Sequence, residues 1–362
     1  MKIAPVVLAG GRPGLFEKIT GGLPKTYVKV CGKRLYQYAA DALHSIFGNV
    51  YVVTPQPEGE RYIYIEERGA TIEEAIATAE TYLGSETYIL LAYGDVYIDP
   101  AAYRALVESI VSIAADGALL AVPRRLTKGY GVLETREGGL LARIGGGGQW
   151  IFGGVALLPR EAIKALGRSL YETLNEMASV RKIAVVPWGG VWHDVNYPED
   201  LLQLLEHTAP QHTYIAKTAK ISPTAVIEGP VVVSEGAEID HYAVVKGPAY
   251  VGRGAFVGSH TLVRNYTAIE EEAVVGSSAE ISHSLIGERA TIGRASFMSY
   301  SVVGPEAVIE PNVVTMSVLR ESRERLEPIE VRGSQFYKLG ALIPRRARVT
   351  AGTTLPPGHG FS

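Results

Sequence analysis

"ISPTAVIEGPVVVSEGAEIDHYAVVKGPAYVGRGAF", residues 221–256, carries an aliphatic side chain at every sixth position: Ile221, Ile227, Val233, Ile239, Val245 and Val251. The frame runs on unbroken through Val257, Val263, Ile269 and Val275 to Ile281. It slips by one residue and resumes at Ile286, Ile292 and Met298, then slips again to Val303 and Ile309. Small residues and glycines fill many of the positions between. So long a frame sets aside chance periodicity in a Val-rich β-domain. A hexapeptide period is the signature of a parallel β-helix, with roughly three hexads to each triangular coil. Each coil buries its inward aliphatic residues only by stacking on its neighbours. Residues 319–340 interrupt the frame with a charged excursion, LRESRERLEPIEV at 319–331, and Ile343, Val349 and Leu355 restore it.

Towards the N-terminus the pattern changes. The stretch HTAPQHTYI, residues 207–215, reads as a linker, and before it apolar runs alternate with helical ones. The runs PVVLA, NVYVVT, TYILLAY, GALLAVP, WIFGGVALLP and KIAVVPW are expected strands; 36–47, 72–83 and 100–115 are expected helices. Such alternation implies βαβ units and a Rossmann-like, mainly parallel sheet. In such sheets ligands bind at the carboxyl ends of the strands. The expected organisation is an α/β domain at 1–207, a linker at 208–216 and a left-handed β-helix at 217–362.

Composition narrows the function. The chain has 362 residues, 47% hydrophobic and 20% charged, as expected of a soluble globular protein. A net charge of -3 and a pI near 6.3 exert no general pull towards nucleic acid. Cys31 is the single cysteine, which excludes a disulfide framework and a cysteine metal site. The opening MKIAPVVLAG is too short for a secretory signal, and no apolar stretch reaches the about 18 residues that span a membrane. The protein is expected in the cytoplasm, without a membrane partner. Few Asn and Gln, many Tyr and an excess of Glu over Asp are a compositional hint of a thermophile.

The chemistry concentrates in a few segments. "VVLAGGRPGLFEKITGGLPKTYVKV", residues 6–30, takes an apolar strand into glycines and on to Pro24-Lys25. Glycines let a backbone approach phosphates closely, and a lysine can neutralise pyrophosphate as it leaves. Tyr93-Gly94-Asp95 ends the strand TYILLA, where a carboxylate can hold Mg²⁺. Arg68-Gly69-Ala70-Thr71 opens a helix, Gly129-Tyr130-Gly131-Val132 follows in the next third, and Trp192-His193-Asp194 precedes Asn196. Glu199 and Asp200 read as a helix start, and His193 and His207 as surface or packing residues.

Residues 1 to about 205 resemble the sugar-1-phosphate nucleotidylyltransferases, with these five segments in the family's order. The resemblance implies that Leu8, Ala9, Gly10, Gly11, Gly69, Thr71 and Gly94 line the nucleotide, and that Tyr130, Gly131 and Gly154 lie on the sugar side. It implies that Lys25 is a catalytic cation and that Asp95 and Asp194 share one Mg²⁺; Arg12 is expected to act as the second catalytic cation, in place of the family's loop arginine. The reaction would be attack of a sugar 1-phosphate on the α-phosphate of an NTP, UTP or dTTP favoured. Glucose 1-phosphate or N-acetylglucosamine 1-phosphate would be the acceptor. Such transfer rests on positioning and charge, so no protein nucleophile is sought.

The sequence departs from the family in two places. Pro13 and Leu15 stand where the first loop usually has a glycine and a phosphate-binding arginine. On the sugar side, Ala142-Arg143-Ile144 replaces a Glu-Lys-Pro segment, and Phe152 an asparagine. The β-helix half resembles archaeal bifunctional enzymes that also acetylate glucosamine 1-phosphate, in FMSYSVVG, VTMSVLR and KLGALIPRRARVTAG. Their catalytic histidine corresponds to Phe297, ahead of Tyr300, and an asparagine to Val318, while Lys338 is kept. Phenylalanine is no general base, so acetyl transfer is expected to be absent and the β-helix to be a scaffold, trimeric as is common in this family. Three readings stand: an active Mg²⁺-dependent nucleotidylyltransferase; a non-catalytic regulatory paralogue that binds a nucleotide sugar or a partner subunit; and a bifunctional enzyme whose acyltransferase uses other residues.

Overall fold

The computed structural model describes residues 1–67, 69, 71–164, 169–319, 326, 328–331 and 334–361. The chain forms two compact units that do not follow chain order. The first comprises Met1–Arg12, Pro24–Tyr27 and Leu35–Asp194, and the second Pro13–Leu23, Val28–Arg34 and Val195–Ser362.

In the first unit, apolar runs become strands because both sheet faces are covered. Of the described strands, β1 (Ile3–Leu8), β2 (Tyr51–Thr54), β3 (Ile63–Glu66) and β4 (Tyr88–Tyr93) matter most for the site. β5 (Val96–Ile98) follows at once, then β6 (Gly117–Pro123), β7 (Leu133–Arg136), β8 (Leu140–Ile144), β9 (Trp150–Pro159), β10 (Ile183–Pro187) and β11 (Trp192–Asp194). Nine form one sheet in the order β3-β2-β1-β4-β9-β6-β10-β8-β7, while β5 and β11 pair separately. β3, β2, β1 and β4 are parallel. β9 runs antiparallel to both β4 and β6, and β8 to both β10 and β7, while β10 is parallel to β6, so the Rossmann-like sheet is mixed, with four of its eight pairings parallel.

Register brings the site together. Leu8 lies beside Val53 on one side and Tyr93 on the other, and Thr54 lies beside Glu66. The segments after β1, β2, β3 and β4 therefore leave the sheet at one edge. The longer helices among the described residues are α1 (Leu35–Phe47), α2 (Ile72–Glu80), α3 (Pro100–Ser112) and α4 (Leu170–Val180). Thr71 and Ser169 start α2 and α4 with capping boxes to Glu74 and Glu172. Asp99 and Pro100 start α3. α2 and α3 end short of the expected 83 and 115. Thr81 closes the last turn of α2 onto the Thr78 and Ala79 carbonyls, and Ala114, at φ +48°, leaves the helical region after α3.

The second unit is a left-handed parallel β-helix. Three sheets, each of seven short strands among the described residues, carry the inward aliphatic rows that the hexads announced. Coils first repeat every 18 residues, with Val231 beside Ala249, and the first slip of the frame appears as Ile269 beside Ile286. Val303 pairs with Ile343, so the chain makes its excursion between two stacked coils. Val318–Leu319, Ser334–Lys338 and Ile329–Val331 form a small antiparallel sheet there. The Val-Gly and Ile-Gly steps have a steric cause. A Cβ on Gly276 would lie 2.7 Å from the Arg294 nitrogen, and one on Gly293 would lie 2.5 Å from the Glu310 carbonyl carbon. Between the sheets, left-handed residues stack coil upon coil, among them Tyr242, His260, Ser278, Ala295 and Asn312, all near φ +58°.

This unit also holds two N-terminal pieces. Pro13–Leu23 carries a 3₁₀ turn at Gly14–Phe16 and a short helix at Glu17–Thr20, and the Arg345 N–H donates to the Lys18 carbonyl at 2.7 Å. Lys29 Nζ reaches Glu288 at 2.6 Å and Glu271 at 3.3 Å, and the Gly32 N–H donates to Glu270 at 3.0 Å. The helix α5 (Asp200–Thr208) belongs here too. Asp200 takes the Asn196 and Tyr197 N–H groups at 2.8 and 2.7 Å, the expected helix-start role.

Candidate active site

Where β1 ends, Ala9 is fully buried, with its N–H on the Val53 carbonyl and its own carbonyl accepting from the Thr26 hydroxyl at 2.6 Å. These bonds fix the start of the glycine loop and anchor the Pro24–Tyr27 piece beside it. The result is a cleft of about 250 Å³ lined by Leu8, Gly10, Gly11, Arg12, Lys25, Thr26, Glu67, Thr71, Ile72, Ala75, Tyr93 and Asp95. Lys25 Nζ stands 2.7 Å from Asp95 Oδ2. Arg12 is exposed and lines the same cleft. Gly11, at φ +98°, is in a conformation that favours glycine.

Two glycines serve packing. Gly94 donates to the Leu8 carbonyl at 2.9 Å, and a Cβ there would come within 2.8 Å of that oxygen and 2.9 Å of Tyr36. A Cβ on Gly69 would overlap the Glu74 side chain. Thr71 caps α2 at the cleft wall. Arg68 and Ala70 of the same segment lie outside the described residues.

Asp194 arrives by a different route. β11 pairs antiparallel with β5, which sets Asp194 opposite Val96, the neighbour of Asp95. The Tyr93 hydroxyl senses both carboxylates, its pKa raised by burial and by Tyr171, Asp95, Glu73 and Asp194. Two aspartates 99 positions apart in the chain thus both act on one tyrosine. Mg²⁺ takes hard oxygen donors, one or two carboxylates plus substrate phosphates. Asp95 and Asp194 fit that requirement; among the described residues no group of three or more candidate metal ligands occurs. His193, next to Asp194 on β11 and opposite Tyr97, is buried.

Beyond Asp194 the site is aromatic. The Tyr130 hydroxyl lies within hydrogen-bonding reach of Asp194, and its pKa is raised by burial and then by that carboxylate. Arg124 Nη2 donates to the same hydroxyl at 3.4 Å, and its guanidinium stands 5.7 Å from the Tyr130 ring and 5.1 Å from that of Trp192. Trp192 is held by its Nε1–H on the Gly153 carbonyl at 2.9 Å. Gly131 leaves room for the Tyr171 ring, which a Cβ would approach to 2.7 Å. Gly154, at φ +78°, sits where β9 shifts register against β6. Phe152 packs edge-on to Tyr93 and Tyr171. Arg143 is paired with Glu134 at 2.6 Å. Sequence reasoning passed over Arg124, Glu67 and Tyr171. A basic residue one place after the buried strand β6 is the only sequence signal for Arg124.

A second cavity, of about 350 Å³, lies in the second unit and gathers Phe297, Tyr300, Val318 and Lys338 with Arg264 and several hydroxyls. Lys338 Nζ stands 5.1 Å from the centre of the Tyr300 ring. His283 stacks flat on Tyr300 at 4.3 Å, and its Nε2–H donates to the Leu202 carbonyl at 3.0 Å. Although Glu206 is 3.5 Å away, burial dominates and pushes the imidazole down to about 4.

A family model described as "MobA-like NTP transferase domain" matches residues 5–220. No curated protein matches the chain. Among solved structures the chain is similar to the inositol-1-phosphate CTP transferase from T. maritima, at 18% identity and a TM-score of 0.46, over 55% of this chain and 91% of that one.

Proposed function

We propose that this chain, which belongs to the family of MobA-like NTP transferase domains, joins an NTP to a sugar 1-phosphate and releases pyrophosphate. The observation that carries the reading is the meeting of Lys25, Asp95 and the glycine loop in one cleft, with Asp194 one strand away. Lys25 and Arg12 hold the triphosphate and neutralise the departing pyrophosphate. Asp95 and Asp194 would hold the divalent metal, Mg²⁺ on this reading, which would supply charge neutralisation to the phosphates. Tyr130, Trp192 and Arg124 form the acceptor side: two aromatic faces for a sugar ring and one cation for its phosphate. Glucose 1-phosphate and N-acetylglucosamine 1-phosphate are the first acceptors to test. UTP and dTTP are the nucleotides that the family resemblance implies.

One observation favours the regulatory reading. Pro13–Leu23, the stretch in which the resembled family places a further phosphate-binding arginine, is part of the second unit. The test is pyrophosphate release with Mg²⁺, each NTP and a panel of sugar 1-phosphates. Release is expected; nucleotide binding without release from any pair would leave the non-catalytic reading. In the second unit, Phe297 offers no base and His283 is buried, weakly basic and tied to Leu202. No acetyl-CoA turnover with glucosamine 1-phosphate is expected, and turnover would restore the bifunctional reading. No helix among the described residues is long and apolar enough to cross a membrane, in keeping with a cytoplasmic enzyme.

A further inference from the structure

The chain changes unit on both sides of Lys25. Pro13–Leu23 belongs to the second unit, Pro24–Tyr27 to the first, and Val28–Arg34 to the second again. The lysine of the cleft therefore lies on a piece of four residues, continued at each end by a stretch of the β-helix unit. In the stretch before it Phe16 and Ile19 are buried, and the Arg345 N–H donates to the Lys18 carbonyl at 2.7 Å. The Thr20 hydroxyl closes that stretch by donating to the Leu23 carbonyl at 2.6 Å, just before Pro24. In the stretch after it Val28 and Val30 are buried, and Lys29 Nζ stands 2.6 Å from Glu288 and 3.3 Å from Glu271. Each of those carboxylates lies two residues after a strand, and the two strands, Thr267–Ile269 and Leu285–Ile286, pair side by side. One ammonium thus ties the stretch to two stacked coils. Burial lowers the Lys29 pKa, and the two carboxylates more than offset it, so the clasp stays charged.

We propose that Lys29, clasped by Glu288 and Glu271, is a positioning residue for Lys25, and that the β-helix unit through this clasp takes part in nucleotidyl transfer. The inference rests on the transfer reading and adds to it the residue that sets its lysine. A lysine side chain is long and flexible, so its ammonium meets a departing pyrophosphate only where the backbone beneath it is fixed. Within the piece, the Thr26 hydroxyl donates to the Ala9 carbonyl at 2.6 Å and the Tyr27 hydroxyl to the Gln56 carbonyl at 2.8 Å. Both bonds run through side chains and leave the backbone some play. Tethering a short piece at both ends removes most of the conformations left to it. Lys29 is the first charged residue after Lys25, four places on, and so the nearest charged tether on that side.

The experiment compares wild type, Lys29→Met, Lys29→Arg and Lys246→Met. Lys246 pairs with Glu228 at 3.2 Å in the same unit and controls for the loss of an ion pair there. The measurements are kcat, KM for the sugar 1-phosphate, inhibition by pyrophosphate, calorimetric binding of pyrophosphate with Mg²⁺, and amide hydrogen exchange of residues 25–27. Lys29→Met should lower kcat and weaken pyrophosphate, each by about tenfold, within the about hundredfold that a displacement of about 1 Å costs. The KM for the sugar 1-phosphate should stay as it was. Lys29→Arg should recover most of the loss, and Lys246→Met should show none. Partial unfolding would lower kcat but leave the pyrophosphate inhibition constant unchanged, and that result would overturn the inference while the transfer reading stands. A loss shared equally by Lys29→Met and Lys246→Met would also overturn it. If no pair of substrates turns over in wild type, the transfer reading fails and exchange still reads the clasp. Faster exchange of residues 25–27 in Lys29→Met than in Lys29→Arg would uphold the positioning role, and identical exchange would overturn it.

Discussion

Lys25 and Asp95 form an ion pair in which each side chain keeps 21% of its exposure. A pair so placed contributes on the order of 0–1 kcal/mol to stability, so on the proposed reading little would be lost in opening it to phosphate and metal. Lys25→Met and Asp95→Ala should each lower pyrophosphate release by about a hundredfold or more and move the melting temperature by no more than a few degrees. Asp194→Ala should do the same, and an unchanged rate would remove Asp194 from the metal site. Glu270 behaves oppositely. It is buried beneath the Cys31–Gly32 turn, burial pushes its carboxyl up to about 8, and the Gly32 N–H only partly offsets this. Between about pH 4.5 and 8 the folded protein keeps that proton while the unfolded chain has lost it. Stability from this group is therefore highest at low pH and falls as pH rises through the window. Glu270→Gln should remove that component from a plot of melting temperature against pH, and a slope identical to wild type would refute the assignment. Lys25, Asp95 and Asp194 were legible in the sequence because each sits beside a strand end with marked neighbours. Glu67 was not, because only the register of β1, β2 and β3 lays it over Gly10.

At the scale of elements, the β-helix was legible almost to the residue. Its inward row must be aliphatic at each sixth place, and the glycine that follows is imposed by the coil stacked on it. Ile281→Ala, at a fully buried position, should destabilise the second unit by about 2–5 kcal/mol in urea titration. Gly293→Ala should also destabilise it, since a Cβ would stand 2.5 Å from the Glu310 carbonyl carbon. The first loop was harder. Pro13 and Leu15 read as defects in a phosphate loop. In the structure Pro13–Leu23 belongs to the second unit, Pro13 precedes a 3₁₀ turn whose Phe16 is buried, and Leu15 stays exposed. Nothing local in the sequence marks that change of partner. The β5–β11 pair was equally hidden, since two three-residue strands far apart leave no periodic trace.

At the scale of the molecule, one sheet of the β-helix turns a row of apolar residues outward. Val226, Val244 and Leu262 stand side by side, and Phe297 and Val314 continue the row beyond Glu280. Such a row suits burial against other copies, and a trimer is the assembly we expect in sedimentation equilibrium; a monomer at micromolar concentration would contradict it. Nucleotidyl transfer itself comes before assembly. Its most direct test is pyrophosphate release from an NTP panel with sugar 1-phosphates and Mg²⁺, run beside Asp194→Ala. Release by the wild type with at least one pair is expected, and none above background by the variant. Equal release by both, or none from a wild type that binds nucleotide, would contradict it.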